Sequence, residues 1–326
     1  MMRGRGANSG RHFIIALGGN AIVPGARGGS YEEQRRLTRR IADQIAALAA
    51  RGHRLVLTHG NGPVVGNIVL RNEAGFQLHG IPRMPLYICG ADSQGGLGYM
   101  IQQGMQNALR NKGLRIPVVS LVTQVEVAAD DPAFARPSKP IGPFYTAEAA
   151  ERLRRDLGWS VMEDASRGWR RVVPSPVPRK VVEWEVIQKL TRAGVITIAV
   201  GGGGVPVIRQ PDGQLLGVDA VIDKDHSSAL LGRLVGADSL VLITSVDRVY
   251  RNFGKSTQEP LPTLTADTAG RLLAAGEFPP GSMGPKIEAA LAFLAGGGSE
   301  VHITEPDSLL AALAGEAGTR IVSRGD

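Results

Sequence analysis

Cysteine is nearly missing from this chain. Cys89 is the single thiol in 326 residues, so no disulfide can close within it, as suits a reducing compartment. Its setting, "LYICGADS", is apolar on the N-terminal side and predicts a buried structural thiol, not a nucleophile. Aromatic residues supply only 5% of positions, too few for a platform on which single-stranded nucleic acid stacks. No apolar run approaches the roughly 20 residues that span a bilayer. Behind the basic start "MMRGRGANSGRH", the run "FIIAL" is too short for a secretory signal core. A soluble, cytoplasmic protein is expected, with residues 1–11 a disordered basic tail.

The absences continue among catalytic signatures. There is no G-x-x-x-x-G-K-[ST], which excludes a P-loop NTPase, and "GGGGVP" runs into a β-branched stretch instead of opening a dinucleotide-binding helix. Neither G-x-S-x-G nor H-E-x-x-H occurs, and the six histidines lack metal-ligand spacing, so no protein-held metal is expected. His59, in "THGNG", is the one histidine beside a candidate site, and a structural role is expected for it. The formal charge of +7 invites a nucleic-acid reading. Arginine, however, is dispersed along helical patterns such as "EEQRRLTRR" and "ERLRRDLGW", as on solvated helix faces. Neither a nucleic-acid nor a membrane partner is expected.

What the sequence does contain is an alternation of short β-branched runs with helical patterns. "HFIIALGG", "HRLVLTHGNG", "RIPVVSLVTQVEV", "VITIAVGGGGVPV", "SLVLITSV" and "EVHITEP" read as extended. Between them, "SYEEQRRLTRRIADQIAALAARG", "DSQGGLGYMIQQGMQNALRNKG", "HSSALLGRLVG", "PKIEAALAFLAGGG" and "DSLLAALAG" have helical spacing. Apolar strands separated by helices predict an α/β fold with a largely parallel sheet covered on both faces. "VIRQPDGQ" reads as a hairpin-like stretch. Two Pro-rich segments, "AADDPAFARPSKPIGP" and "VVPSPVPRK", break the rhythm and predict an excursion from the main sheet over about residues 128–180, a lid or small subdomain.

Glycine-rich turns follow three of the strands: Gly18-Gly19-Asn20, Gly60-Asn61-Gly62 and Gly201–Gly204. In an open parallel sheet such turns gather at the carboxyl ends of the strands, where ligands bind. Glycine lets backbone amides approach an anion closely. Three lysines also stand near turns: Lys139 in "PSKPIGPFY", Lys224 in "VIDKDHSSALLG" and Lys286 in "GSMGPK". Each lies among Gly and Pro or between carboxylates, unlike a lysine on a polar helix face. Asp225 is expected to cap the helix that follows, and Asp223 and Asp225 to keep Lys224 protonated and aimed. Cations and amides without a base or a metal cage suit phosphoryl transfer between two anions, where charge repulsion and positioning make most of the barrier.

The chain resembles the carbamate kinases, within the amino acid kinase superfamily, through "ALGGNAI", "LTHGNGPVVG", "KPIGPFY", "AVGGGGVPV", "VIDKDHSSALL" and "GSMGPKIEAA" in the family's order and spacing. The resemblance runs from about Phe13 to Val322. It implies a three-layer α/β/α sandwich on a mainly parallel open sheet of about eight strands, a protruding subdomain, and a homodimer. It also implies reversible transfer between ATP, with Mg²⁺ carried by its phosphates, and carbamate, giving ADP and carbamoyl phosphate. ATP synthesis in arginine or related carbamoyl catabolism is the implied direction. Gly18, Gly19 and Asn20 would then lie at the transferred group, and Gly60 and Asn61 beside the carbamoyl moiety. Lys139 would reach in from the subdomain, while Lys224 and Lys286 grip phosphates and Asp223 orients the lysines. Thr244, Ser245, Val246, Tyr250, Met283 and Gly284 would form the adenine side. One domain over 12–326 is implied, with an acceptor-side lobe (12–217) and a nucleotide-side lobe (218–326). Ser245 stands where many members have Asp, and His226 where an apolar residue is common. Two other readings are a kinase of this fold acting on another small carboxylate or phosphonate, and a non-catalytic ligand sensor.

Overall fold

Alternation along the first strand sets the layering. In β1 (His12–Leu17), Ile14 and Ala16 join one buried apolar cluster while Phe13, Ile15 and Leu17 join another, as side chains of period two must when both sheet faces are covered. The computed structural model describes residues 10–23, 25, 29–164, 168–279 and 281–324, and of Asn20 only the backbone. Most of the expected N-terminal tail, residues 1–9, lies outside the described residues. Arg11 is described, and its guanidinium pairs with Glu300 at 2.5 Å.

The main sheet has eight strands: β1, β2 (Arg54–His59), β3 (Val118–Ser120), β4 (Ile196–Ile198), β5 (Ser239–Ile243), β6 (Thr263–Thr265), β7 (Glu300–Thr304) and β8 (Thr319–Val322). Their order across the sheet is β6-β8-β7-β5-β1-β2-β4-β3. Every neighbouring pair is parallel except β7 with β8. The expected mainly parallel sheet of about eight strands is therefore what the chain forms.

Helices α1 (Gly19–Ile22), α2 (Tyr31–Ala50), α3 (Gly62–His79) and α4 (Leu86–Asn111) follow the first two strands. The buried stripes of α2 and α4, including Ile41, Ile45, Ile101 and Met105, cover the face holding Phe13, Ile15 and Leu17. The opposite face is covered by α6 (Trp184–Arg192), α7 (Lys224–Val235), α8 (Ala266–Ala274) and α9 (Met283–Ala295), with Ile187, Leu231, Ile287 and Phe293 fully buried. Each such side chain removed from water contributes about 1.5–3 kcal/mol, and both layers depend on the strand period that the sequence carries. A capping box, with Ser30 and Glu33 bonding each other's backbone amides, fixes where α2 starts. No described helix is long and apolar enough to cross a membrane.

The Pro-rich excursion forms strands outside the main sheet. Strands Lys139–Tyr145, Trp169–Val173 and Val161–Glu163 form an antiparallel sheet with helix α5 (Ala147–Leu157) beside it. A further sheet joins Leu215–Gly217, Val205–Arg209, Gln124–Glu126 and Lys180–Val181, and in it the "VIRQPDGQ" stretch closes the antiparallel hairpin expected for it. The small sheet meets the body through Gly66 of α3 and Gly142, whose φ is +73°; a Cβ on Gly66 would lie 2.1 Å from the Gly142 Cα. Val65, Leu86, Cys89, Ile141, Val173 and Val221 make a third apolar cluster at this junction. Cys89 is fully buried there, and burial pushes its thiol pKa up, as a structural cysteine requires.

Candidate functional site

Because β1, β2 and β4 are parallel, the turns that follow them emerge at one end of the sheet. The Gly60 amide donates to the Leu17 carbonyl at 3.0 Å, and the Gly18 amide to Ile243 at 3.0 Å. Gly60 also backs onto a lysine stem: a Cβ there would lie 3.3 Å from Lys224 Cδ and 3.4 Å from the Gly19 nitrogen. The first two turns and Lys224 are thus one neighbourhood. Asn61 is 8% exposed at the start of α3. The Asn20 side chain lies outside the described residues.

The third turn is anchored by buried polar contacts. Val200 adopts φ +53°, a left-handed conformation unfavourable for a β-branched residue, and its amide donates to Thr123 Oγ1 at 3.1 Å. Gln94 holds Thr123 on both sides, donating to its carbonyl at 3.1 Å and accepting from its amide at 2.8 Å. Ser227 of α7 donates to the Gly203 carbonyl at 2.8 Å. His59 is buried between turns, with Nδ1 3.0 Å from the Gly60 carbonyl. Burial, helped by the charge of Lys224, lowers its pKa to about 4, so it is neutral at pH 7 and serves the scaffold.

At the mouth of α7 the contacts differ from the expected ones. Asp223, not Asp225, is the N-cap: its backbone is extended and its Oδ1 accepts from the amides of Asp225 (2.9 Å) and His226 (3.4 Å). The helix begins at Lys224, two residues earlier than a cap at Asp225 would require. Asp223 Oδ2 accepts from Lys139 Nζ at 2.6 Å, so its direct lysine partner is the one from the subdomain strand. Asp225, 3% exposed, is the partner of the other two. Its Oδ1 accepts from Lys224 Nζ and its Oδ2 from Lys286 Nζ at 3.0 Å. Three lysines from three elements thus converge on two carboxylates two residues apart.

Burial and neighbouring charges compete here, and the winner differs from group to group. Burial would raise the Asp225 pKa, but Lys224 and Lys286 outweigh it and hold the carboxyl below its usual range. Asp223 behaves likewise, with Lys139 the main counterweight to burial. Lys224 is held below the ordinary lysine range by burial first; Asp225 opposes that shift and Lys286 reinforces it. A hydroxyl chain supports the helix start: Ser228 Oγ donates to the Lys224 carbonyl at 2.6 Å and lies 2.6 Å from Thr58 Oγ1. Ser227, Ser228, Thr123 and Gln94 were not among the expected site residues. The adjacent serines inside "KDHSSALL", polar where a helix turns inward, are the signal that could have found two of them.

The expected adenine-side residues divide. Thr244 continues β5, its amide donating to the Thr304 carbonyl at 2.9 Å. Ser245 is exposed, and Val246 is half-buried. Tyr250 donates to the Asp247 carboxylate at 3.0 Å. Met283 opens α9, and the Gly284 amide, two residues before Lys286, donates to the Pro279 carbonyl at 2.9 Å. His226 Nε2 lies 3.1 Å from Glu288 Oε2, tying α7 to α9 beside the lysines.

Comparison with known proteins identifies the family and the fold. The profile of the Amino acid kinase family matches residues 11–305. The carbamate kinase of Pyrococcus furiosus is 46% identical over 313 residues, covering 96% of this chain and 99% of that one. The carbamate kinase of Thermococcus kodakarensis is 48% identical with the same coverage. Among solved structures, carbamate kinase from Giardia lamblia bound to AMP-PNP superposes with a TM-score of 0.88 at 40% identity, covering 96% of this chain and 99% of that one.

Proposed function

Since the chain belongs to the carbamate kinases of the amino acid kinase family, we propose that its lysine–aspartate centre transfers a phosphoryl group between ATP and carbamate, reversibly yielding ADP and carbamoyl phosphate. The observation that carries this reading is the convergence of Lys139, Lys224 and Lys286 on Asp223 and Asp225 beside the glycine turns. Both reactants are anions, and the acceptor oxygen of carbamate is already negative. No general base is needed, and the barrier is one of repulsion and alignment.

In this mechanism Lys224 and Lys286 neutralise the nucleotide phosphates and the transferring group. Asp225 aims both ammonium groups from one carboxylate. Amides at Gly18, Gly19 and Asn20 face the transferred phosphoryl, with Gly60 and Asn61 beside the carbamoyl group. Lys139 enters from the subdomain, and Asp223 sets its position while capping α7. Thr244, Ser245, Val246, Tyr250, Met283 and Gly284 form the adenine side. Asp223 and Asp225 are engaged by lysines, so Mg²⁺ would be carried by the nucleotide phosphates, whose charge it neutralises. On this reading residues 12–217 hold the acceptor, residues 218–326 the nucleotide, and the subdomain over about 128–180 closes on both. A cytoplasmic homodimer running toward ATP synthesis in arginine or related carbamoyl catabolism is the cellular setting we propose.

The test is ATP formation from ADP, Mg²⁺ and carbamoyl phosphate, with acetyl phosphate and enzyme-free controls. ATP itself is measured because carbamoyl phosphate decomposes unaided. ATP formed from carbamoyl phosphate and not from acetyl phosphate supports the reading. Folded protein that binds ADP yet forms no ATP refutes it.

A further inference from the structure

A second cleft, of about 360 Å³, opens where the subdomain meets the body, and no residue assigned to phosphoryl transfer lines it. Its α3 wall runs over Val69, Asn72 and Glu73, seven to eleven residues beyond Gly62. At helical rise that is about 10–16 Å along the axis from the glycine turn. The facing wall belongs to the subdomain: Asp156 and Leu157 at the end of α5, Trp159, and Arg171 of the middle strand.

The charges in this cleft are unequally satisfied. Arg83 and Glu73 neutralise each other through bonds of 2.6 and 2.8 Å. Asp156 is paired with Arg155 at 3.0 Å. Arg171 has no carboxylate partner among the described residues; its guanidinium lies over the Trp159 ring, 4.3 Å from the centroid. Burial works against its charge, and Asp219 across the cleft is the largest opposing influence. Asp219 uses Oδ1 to accept from the Leu86 amide at 2.9 Å and the Tyr87 amide at 3.4 Å, and it forms no ion pair among the described residues. One cation and one anion therefore face the same space without reaching each other. A purely anionic ligand would meet Asp219 and a purely cationic one Arg171, whereas a molecule bearing both charges satisfies both.

The two groups also sit on the segments that build the transfer site. Arg171 is two residues before Val173, which pairs across the small sheet with Lys139. Asp219 is four residues before Asp223. The Lys139–Asp223 ion pair joins the far ends of these segments. We propose that this cleft is a second binding site, for a small zwitterion of amino-acid type, and that its occupancy adjusts the position of Lys139 against Asp223. The carboxylate lies on the Arg171 guanidinium above Trp159, and the ammonium on the Asp219 carboxylate.

The test is calorimetric titration of the full chain with glycine, 4-aminobutyrate and 6-aminohexanoate, which differ in charge separation, against butyrate and butylamine. At least one zwitterion should bind saturably and about tenfold more tightly than either single-charge control. Arg171→Gln and Asp219→Asn should each weaken it about tenfold, the loss of one charged hydrogen bond. Asp219→Asn keeps an oxygen acceptor for the two amides and so retains the cap on α4. Arg171→Lys should recover part of the affinity. The bound zwitterion should change the KM for carbamoyl phosphate about twofold or more in the unmodified chain and leave it unchanged in Arg171→Gln. Failure of every zwitterion to bind below about 20 mM overturns the proposal. So does binding that survives both substitutions, or binding that ADP and carbamoyl phosphate displace competitively, which would assign the ligand to the transfer site.

Discussion

Replacing Asp225 by Asn tests the centre most directly, because one carboxylate serves two ammonium groups. Asp225 is 3% exposed, and Lys224 and Lys286 have side chains only 11% and 13% exposed. Asn preserves shape and an acceptor oxygen but removes the charge. Two buried cations then lie side by side without a counter-ion. Removing one partner of a buried ion pair costs about 3–5 kcal/mol. Part of that cost is relieved if Lys224 loses its proton, since its pKa is already held low by burial and by Lys286, with Asp225 the main opposing charge. A charge pair at about 4 Å and an effective dielectric near 20 is worth about 4 kcal/mol. The sign follows: loss of Asp225 lowers the Lys224 pKa further, so the alkaline limb of the rate profile moves toward neutral pH. ATP formation should be measured from about pH 6 to 10 on both proteins, with thermal melts alongside. The variant should lose about a hundredfold or more in rate near pH 8, recover partly toward pH 6, and show an alkaline limb displaced by at least about one unit. A variant within about twofold of the parent, with an unmoved profile, would refute the role given to the shared carboxylate.

Lys139→Ala should raise the KM for carbamoyl phosphate while leaving ADP affinity near its parent value, since the lysine enters from the subdomain; steady-state kinetics with ADP titrations check this, and unchanged KM and kcat would leave that strand a structural role only. Gly66→Ala places a methyl 2.1 Å from the Gly142 Cα, so the strand carrying Lys139 must shift. Overpacking of this kind costs about 1–3 kcal/mol, read as a lower urea midpoint together with reduced transfer. Stability should also fall with acidification. His12 and His59 are buried with pKa values lowered from 6.5 to about 4, so the unfolded chain binds more protons between those values. Their contribution is complete above about pH 6.5 and is lost as pH falls toward 4, each about 3 kcal/mol at full effect. Urea midpoints at pH 7.5 and 5 test it, and His12→Leu should flatten the difference.

The parts of this molecule that follow from local rules could be read in the chain. β1, β2 and β5 are largely apolar runs ending in glycine or polar turns, and their burial on both faces is what such runs require. Parallel pairing then forces the Gly18, Gly60 and Gly201 turns to one end. What escaped reading depends on partners far along the chain. Helix α3 was missed because Asn61, Gly62 and Pro63 announce a turn, and only Val65 and Gly66 along its length are buried, too few for a helical stripe. That helix gives the subdomain its seat through Gly66 and Gly142, so this junction was missed with it. The Asp223/Asp225 assignment turned on where the helix starts, two residues before the place a cap at Asp225 would set. Two aspartates spaced by one lysine both satisfy the local rule for a cap. The structure places the cap at Asp223, whose own backbone is extended, directly after the buried Val221 and Ile222. Once Asp223 is the cap, its second oxygen is left for a cation, and Lys139, 84 residues earlier, occupies it. Asp225, displaced from capping, is turned inward to the two remaining lysines. The same two-residue shift that corrects the cap thus also divides the lysines into a subdomain contact and a buried pair, and it makes the two contacts separable by mutation.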